Sequence, residues 1–202
     1  MLIASAATFE IAPLRVDFSQ DPFVSFFTFG IGAIEAARRE GAFLSAAEGK
    51  DVWLVGTCGS WSAFSGVSLI TTDRLIWLPM CERAKLAESI EGVESSYSLM
   101  PGKAVSGLPV YTLLCGPTIS ISDFIHPQIQ KKFQIESAQL AENIELYVCA
   151  KNLLSVAKSV HVLLAITNQV GADGRKQWKE NFQAAAKITS AFIRDHILST
   201  RT

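Results

Sequence analysis

Short apolar runs recur along the chain, and each run stops at a glycine, a proline or a polar residue. Runs of about four to eight residues rich in Val, Ile, Leu and Phe are typical of buried strands. We predict strands at Leu2–Ala7, Phe23–Phe29, Val52–Gly56, Val110–Cys115 and Val160–Thr167, and a strand pair at Val67–Thr71 and Arg74–Pro79. These strands are numerous enough to form one central sheet.

Between the strands, apolar residues recur at spacings of three and four, which predicts helices. We predict them at Ile31–Arg39 (ended by Gly41), Ala84–Ile90, Glu142–Ser155 and Arg175–Leu198, and a loop at Ser122–Gln134 that turns at His126-Pro127. Strands that alternate with helices form parallel βαβ units. The predicted fold is therefore α/β, a three-layer αβα arrangement with a mostly parallel twisted central sheet.

Composition narrows the class of protein. The chain has 202 residues, which suits a single α/β domain over 1–202, and 49% of them are hydrophobic against 18% charged. Lys and Arg number 18 against 19 Asp and Glu, so we expect no nucleic-acid surface. No apolar run approaches the ~18 residues of a membrane helix, and the N-terminus lacks the basic region of a signal peptide. We expect a cytoplasmic protein that does not bind membranes.

The cysteines and histidines form no visible ligand set. The four cysteines lie far apart, mostly in apolar segments and without CxxC spacing, at Cys58, Cys81, Cys115 and Cys149. Such residues are typical reduced core positions of a cytoplasmic protein. The three histidines are also scattered. We therefore expect no metal and no other cofactor.

A candidate ligand-binding residue stands where the last strand stops. The apolar run Leu163–Ile166 ends at Thr167-Asn168. In parallel α/β sheets, ligands bind at the carboxyl ends of strands. The Asn168 carboxamide offers an acceptor and two donors, which suits the N7–O6 edge of a 6-oxopurine. The structural alternative is an asparagine that bonds its own turn.

Three other segments carry candidate site residues. Glu10 follows the first strand and can hold or deprotonate a water, or can act as an acid at a helix start. Gly56-Thr57-Cys58-Gly59 follows the third strand, and its glycines allow a ligand close to the backbone, although a glycine turn there is common. Glu142 and Glu145 flank Asn143-Ile144. A carboxylate there can accept hydrogen bonds from the two hydroxyls of a sugar diol, or it can cap the start of a helix.

The order of these segments resembles that of the nucleoside phosphorylase/nucleosidase superfamily. Ala6–Ile11 is similar to the stretch that ends in the water-binding Glu of methylthioadenosine/S-adenosylhomocysteine nucleosidases. Thr28–Ala33 resembles the glycine turn after the second strand, and Val55–Gly59 the sugar and base loop. The segment Glu142–Glu145 resembles the Glu-x-Met-Glu ribose motif, and is closer to the Glu-Asn-Met-Glu form of futalosine hydrolases.

The pair Thr167-Asn168 stands where nucleosidases carry Ser-Asp, futalosine hydrolases Ser-Asn and 6-oxopurine-specific phosphorylases Thr-Asn. The segment Asp173–Trp178 also resembles a charged, Trp-containing stretch of futalosine hydrolases. The resemblance implies a three-layer α/β fold and cleavage of a purine N-glycosidic bond. It also implies a homodimer or a higher homo-oligomer, with a small purine nucleoside as the binding partner.

The resemblance assigns roles to individual residues. Glu10 would orient and deprotonate the attacking water, Glu145 would hold the ribose hydroxyls, and Asn168 would stabilise the leaving base. Trp178 would either close over the pocket or lie in the core. The remaining substrate-binding positions implied by the resemblance are Thr57, Cys58, Gly59, Ile119, Asn143 and Ile144.

Three departures from the family pattern affect specificity. The segment between Leu14 and Phe23 is short, which trims a hairpin and alters the sugar 5′ pocket and the dimer surface. Ile144 replaces a Met but keeps an apolar platform under the ribose. Asn168 replaces the nucleosidases' Asp and cannot donate a full proton to N7, which favours a 6-oxopurine over adenine.

The nucleophile is predicted to be water. Leu54 stands where hexameric phosphorylases carry an Arg, and the segment Ser5–Ile11 contains no cation. Glu10 would repel phosphate, since an unpaired carboxylate facing it costs binding. We predict a hydrolase acting on futalosine first and inosine-like nucleosides next, which implies a place in menaquinone biosynthesis. Two alternatives stay open, a purine nucleoside phosphorylase and a non-catalytic purine-binding protein on the same scaffold.

Overall fold

The structure is a computed structural model that describes residues 1–78, 96–98, 105, 107–134 and 139–200. The strands in these ranges are β1 (Leu2–Ser5), β2 (Ser25–Thr28), β3 (Asp51–Ser60), β4 (Ser68–Trp77), β5 (Ser96–Ser98), β6 (Val110–Cys115), β7 (Leu140–Glu142) and β8 (Ser159–Gln169). The helices there are α1 (Ala12–Asp17), α2 (Ala33–Ala47), α3 (Pro127–Phe133), α4 (Leu146–Ala150) and α5 (Gly174–Ser199), with 3₁₀ turns at Thr8–Glu10 and Leu153–Ser155.

The strands form one mixed sheet that closes on itself. Its order is β2-β1-β3-β7-β6-β4-β5, and β8 pairs with both β3 and β4. The pairs β1–β2, β1–β3, β3–β8, β4–β6 and β6–β7 are parallel, whereas β3–β7, β4–β5 and β4–β8 are antiparallel. The predicted α/β class is confirmed, but the expectation of a mostly parallel sheet is wrong.

The length of β4 explains the closure. Its first residues, Ser68–Ile70, pair with β8, and the part from Thr71 to Trp77 pairs with β6. The register with β6 shifts between Thr72 and Arg74, where an extra residue bends the strand. A sequence pattern shows which residues are buried but does not give the direction of a neighbouring strand, so the antiparallel pairs could not be predicted.

Helices cover both faces of the long strand β3. Leu54 lies in a core cluster with Phe43 of α2 and Leu146 of α4. Its neighbour Trp53 points to the other face and packs with Ile193 of α5. This alternation follows from the two-residue period of a strand. The site-bearing ends of β3 and β8 are therefore fixed from two sides.

Several predicted elements need correction. The prediction that Gly41 ends a helix is wrong: α2 continues to Ala47, because Ala36, Phe43 and Ala47 all reach the core. That burial outweighs the roughly 1 kcal/mol cost of a helical glycine. The predicted glycine turn after Gly56 is instead the continuation of β3 as far as Ser60. The predicted pair Val67–Thr71 and Arg74–Pro79 is the single strand β4.

Two further corrections concern helix starts. The predicted loop Ser122–Gln134 contains α3, which begins at Pro127 with the His126 imidazole accepting from the Gln128 N–H at 3.2 Å. Proline fits the first position of a helix as well as a turn. The predicted helix Glu142–Ser155 is shorter, since Glu142 ends β7 and α4 starts at Leu146. The predicted helix Ala84–Ile90, Pro79 and Cys81 lie outside the described residues.

Cys58, Cys115 and Cys149 are buried free thiols, as predicted for core positions. Among the described residues, no helix is both long enough and apolar enough to cross a membrane.

Replacing Phe43 with Ala is expected to lower the free energy of unfolding by about 3–5 kcal/mol, because a buried ring is replaced by a cavity. Phe43 is 1% exposed, and its ring centroid lies 5.2 Å from that of Phe27 and 5.9 Å from that of Phe29. Urea denaturation measures the change. Ile34→Ala is the matched control, since Ile34 lies in the same helix and is 75% exposed. Equal losses for the two variants would contradict the assignment of Phe43 to the core.

Candidate active site

The structure brings all nine predicted site residues to one cavity of about 230 Å³. The cavity lies at the carboxyl ends of the parallel strands β1, β3 and β8. Because these strands run in the same direction, the residues at their carboxyl ends lie along one edge of the sheet. The nine residues that line it are Glu10, Thr57, Cys58, Gly59, Ile119, Asn143, Ile144, Glu145 and Asn168.

The carboxylate of Glu10 is held at the floor of this cavity. Glu10 is only 6% exposed, in the 3₁₀ turn after β1. Its Oε2 accepts the Ala7 N–H at 3.0 Å, and its Oε1 accepts the Thr57 hydroxyl at 3.5 Å. A Cβ on Gly56 would stand 3.4 Å from Oε1, so the glycine leaves room for the carboxylate. The Ala7 contact also caps the start of the 3₁₀ turn, so Glu10 is both the predicted helix-start acid and a residue that lines the cavity.

Glu145 is the second buried acid of the cavity. Its Oε1 accepts the Gly32 N–H at 2.8 Å, which connects the turn after β2 to the start of α4. Gly32 has φ +85°, a backbone conformation that favours glycine. The amide of Asn143 fixes the other side, because its Oδ1 accepts the N–H groups of Glu145 and Leu146 at 2.9 and 2.8 Å. Asn143 thus positions Glu145 as well as lining the cavity.

Glu142 has a different position from Glu145. Its carboxylate accepts the Ser120 N–H at 2.9 Å and also the Ser120 hydroxyl. Both contacts hold the segment after β6 that carries Ile119 to the cavity. Ser120 thus engages both carboxylate oxygens of Glu142, whereas Gly32 engages Glu145 through Oε1 alone.

Asn168 occupies a narrow slot between two glycines. The register of β3 with β8 shifts after Cys58, so that Gly59 pairs with Asn168. A Cβ on Gly59 would lie 2.7 Å from Asn168 Nδ2, and one on Gly174 would lie 3.1 Å from it. Oδ1 accepts the Thr167 hydroxyl at 2.9 Å, and Nδ2 donates to the Gln169 carbonyl at 3.1 Å. One amide hydrogen and one Oδ1 lone pair remain for a ligand.

An aromatic group closes one side of the cavity. Trp178 is half-buried and lines it, with its ring 6.1 Å from that of Phe9 and 5.3 Å from that of Phe182. Trp178 Nε1 donates to Thr57 Oγ1 at 3.1 Å. Because Thr57 accepts this bond, its own hydrogen is directed to Glu10. Trp178 is therefore a cavity residue as well as a packed one.

Burial sets the ionisation of both acids. Desolvation raises the pKa of Glu10 from 4.5 to about 7, opposed by the Ala7 N–H and reinforced by the charge of Glu145. Desolvation also raises the pKa of Glu145 from 4.5 to about 7, opposed by the Gly32 N–H. A carboxylate with a pKa near 7 is a suitable general base at neutral pH. Burial raises the pKa of the Cys58 thiol far above its ordinary value, which excludes it as a nucleophile.

Solved structures match the chain over almost its whole length, whereas no family model and no curated protein matches it. An S-adenosylhomocysteine nucleosidase from Streptococcus pyogenes, in complex with 5-methylthiotubericidin, has a TM-score of 0.75 at 16% identity over 97% of this chain and 94% of that one. A futalosine hydrolase mutant from Helicobacter pylori has a TM-score of 0.72 at 15% identity over 98% of each chain.

A nucleosidase mutant from Helicobacter pylori with 5′-methylthioadenosine in its active site has a TM-score of 0.71 at 16% identity, over 98% of this chain and 97% of that one. The chain has the nucleosidase fold. These structures come from the nucleoside phosphorylase/nucleosidase superfamily, so the predicted resemblance is confirmed at the level of the fold.

Sequence reasoning missed several cavity residues of this nucleosidase fold. Phe9 and Arg175 line the cavity, as do the small or apolar residues Ala6, Ala7, Ile31 and Gly174. Phe9 directly precedes Glu10, and Arg175 lies one helical turn before Trp178. Both could therefore have been inferred from their positions beside residues that were predicted to line the site. No group of three or more His, Cys, Asp or Glu side chains within the described ranges could hold a metal ion.

Replacing Glu10 with Gln is expected to stabilise the protein at pH 8. The folded-state pKa of about 7 exceeds the ordinary 4.5, so the folded state keeps a proton that the unfolded state loses between these values. Stability therefore falls as pH rises from 4.5 to 7, and the ionised group costs on the order of 3 kcal/mol above that window.

Thermal melting from pH 4 to pH 8 measures this difference. We expect the melting temperature of Glu10→Gln to exceed that of the wild type by an amount that grows as pH rises. The difference should vanish near pH 4. Glu180→Gln is the control, because Glu180 is exposed on α5. A gap that is constant over the whole pH range would show that Glu10 ionisation carries no such cost.

Proposed function

We propose that the protein hydrolyses the N-glycosidic bond of a 6-oxopurine nucleoside and releases the free base. The observation that carries this proposal is the convergence of Glu10, Glu145 and Asn168 on one cavity. A water base, a sugar-binding carboxylate and a base-binding amide are the three groups that such a hydrolysis requires. The fold shared with nucleosidases and a futalosine hydrolase supports the same reaction class.

Glu10 is proposed to activate the attacking water. One of its oxygens is held by Ala7 and the other by Thr57, so the carboxylate has a fixed direction. Its pKa of about 7 lets it take a proton from water at neutral pH. The carboxylate also disfavours phosphate in the same place, because two negative charges in a poorly solvated cavity repel each other.

Glu145 is proposed to hold the ribose hydroxyls. Positive charge develops on the sugar as the glycosidic bond breaks, and a fixed carboxylate stabilises that charge. The Gly32 N–H holds Oε1, and the carboxylate lines the cavity, where it can accept hydrogen bonds from the sugar hydroxyls. Ile144 and Ile119 supply apolar contacts to the same cavity.

Asn168 is proposed to select the purine. Its free amide hydrogen can donate to O6 or N7, which are both acceptors in a 6-oxopurine nucleoside, and its free Oδ1 lone pair can accept from N7 once the released base carries a proton there. Futalosine is the first proposed substrate and inosine-like nucleosides the next, which gives the protein a place in menaquinone biosynthesis. The cytoplasmic location and the homodimer or higher homo-oligomer expected from the sequence stay predictions.

Phosphorolysis is the second candidate, because Arg175 lines the cavity and phosphate needs a cation. Arg175 directly follows Gly174, which packs on Asn168. That is the base end of the proposed substrate, whereas a phosphate nucleophile would have to approach on the side of Glu10. The geometry therefore favours water.

The decisive experiment measures hypoxanthine release from futalosine and inosine by chromatography, with and without phosphate. We expect release without phosphate, and a fall in kcat of about 10²–10⁴-fold for Glu10→Gln. Glu180→Gln, at an exposed position of α5, keeps the wild-type rate. Strict phosphate dependence would establish the phosphorylase. Stabilisation by ligand without any release would establish the non-catalytic purine-binding protein.

Replacing Asn168 with Asp is expected to shift preference from 6-oxopurine to 6-aminopurine nucleosides. The slot between Gly59 and Gly174 accepts Asp because it is the same size as Asn. The protonated acid can donate to N7, and its carbonyl oxygen can accept from a 6-amino group. The ratio of kcat/KM for adenosine over inosine measures the change. An unchanged ratio would show that Asn168 does not contact the purine edge.

A further inference from the structure

The cavity has a marked imbalance of charge. Glu10, Glu142 and Glu145 all line it, and each is less than a tenth exposed. Arg175 is the one Lys or Arg among the described residues that line it. Negative charge formed on a ligand would thus meet three acids, and the Arg175 guanidinium is the one full positive charge in that lining to offset them.

Arg175 stands at the end of the cavity that holds Asn168. It follows Gly174, whose Cβ position is 3.1 Å from Asn168 Nδ2. It precedes Trp178 by three residues in α5, so both side chains lie on one helix face. Arg175 is exposed to solvent, and no hydrogen bond or ion pair engages it in the described part of the chain. Its guanidinium is therefore available to a ligand that reaches Asn168.

The proposed reaction creates negative charge at that end. When the bond between ribose C1′ and purine N9 breaks, its electron pair leaves with the purine. An acid next to N7 could neutralise that charge by proton transfer, but the Asn168 carboxamide has no acidic proton to give. Hydrogen bonds from Asn168 disperse the charge without cancelling it. The leaving purine therefore needs a positive partner.

Resting on the proposed hydrolysis, we propose that Arg175 is a further catalytic residue, whose guanidinium stabilises the purine as it leaves as an anion. Water oxygen bonds to C1′ and passes one proton to Glu10, while N9 keeps the electron pair of the broken bond. The purine anion then takes a proton from solvent as it dissociates, and Glu10 returns its own to solvent. The products are the free sugar and the neutral purine.

Arg175→Gln and Arg175→Lys test this role with inosine as substrate. Inosine ends in an uncharged 5′ hydroxyl, so any effect of Arg175 on it cannot come from an anionic 5′ group. Removing one preorganised stabiliser of developing negative charge costs about 10²-fold or more in kcat. We expect a loss of about that size for Arg175→Gln, with KM changed less than about threefold because the charge forms only in the transition state.

Arg175→Lys keeps the charge and is expected to recover kcat to within about tenfold of the wild type. Lys176→Gln is the matched control, because Lys176 is the next residue of α5, is exposed and does not line the cavity. Melting temperatures equal to that of the wild type verify that all variants fold, as expected for an exposed and unbonded side chain.

The outcomes separate this proposal from the one on which it rests. A wild type that hydrolyses inosine together with a slow Arg175→Gln variant and a rescued Arg175→Lys variant supports both. Hydrolysis by the wild type with an unchanged kcat for Arg175→Gln overturns the role of Arg175 and leaves the proposed function in place. A rise in KM alone assigns Arg175 to ground-state binding and overturns the catalytic role. A wild type that releases no base from any nucleoside overturns both.

Discussion

The pairing of β3 with β8 is the interaction on which the candidate site depends. The two strands run parallel from Asp51 and Ser159 to Ser60 and Gln169, and one extra residue of β8 shifts their register after Cys58. Such a bulge turns the following side chain to a new direction. Here it sets Asn168 opposite Gly59, which has no side chain to occupy the space. Without that shift, Thr167 would pair with Gly59 instead.

The same strand end organises the other groups of the cavity. Thr57 of β3 accepts from Trp178, is near enough to donate to Glu10, and receives at its carbonyl the Asn143 amide at 3.1 Å. Asn143 in turn orders the backbone of Glu145. One residue of a central strand is thus bonded, directly or through one neighbour, to both acids. This is why polar groups from distant parts of the chain can be held within one small volume.

Local chemistry was easier to predict from the sequence than long-range pairing. Glu10, Thr57, Glu145 and Asn168 could be identified because each follows an apolar run or sits in a motif with a distinct order. The antiparallel pairing of β4 with β8 could not, since burial alternation is the same for either strand direction. Arg175 was missed for another reason: an exposed arginine at the start of an amphipathic helix looks like ordinary surface until Gly174 is seen against Asn168.

The buried acids show a conflict between stability and chemistry. Two carboxylates with pKa values raised by burial make the folded state less stable at neutral pH than it would be with neutral groups. The same desolvation makes them effective at holding a water or a sugar, because charges act more strongly where solvent is scarce. The large cores on both faces of β3 supply the stability that allows this arrangement.

The glycine slot around Asn168 has an evolutionary consequence. Positions 59, 168 and 174 are far apart in the sequence but share one volume, so they cannot change independently. A side chain at 59 would enter the space of the carboxamide, with its Cβ 2.7 Å from Asn168 Nδ2. One at 174 would stand 2.9 Å from the Gln169 carbonyl oxygen and 3.1 Å from Nδ2, so the slot also limits the size of the residue at 168. If a descendant of this chain keeps both glycines, the residue at position 168 can therefore be no larger than Asn. One that loses Gly59 must move the amide, and one that loses Gly174 must also move the Gln169 carbonyl.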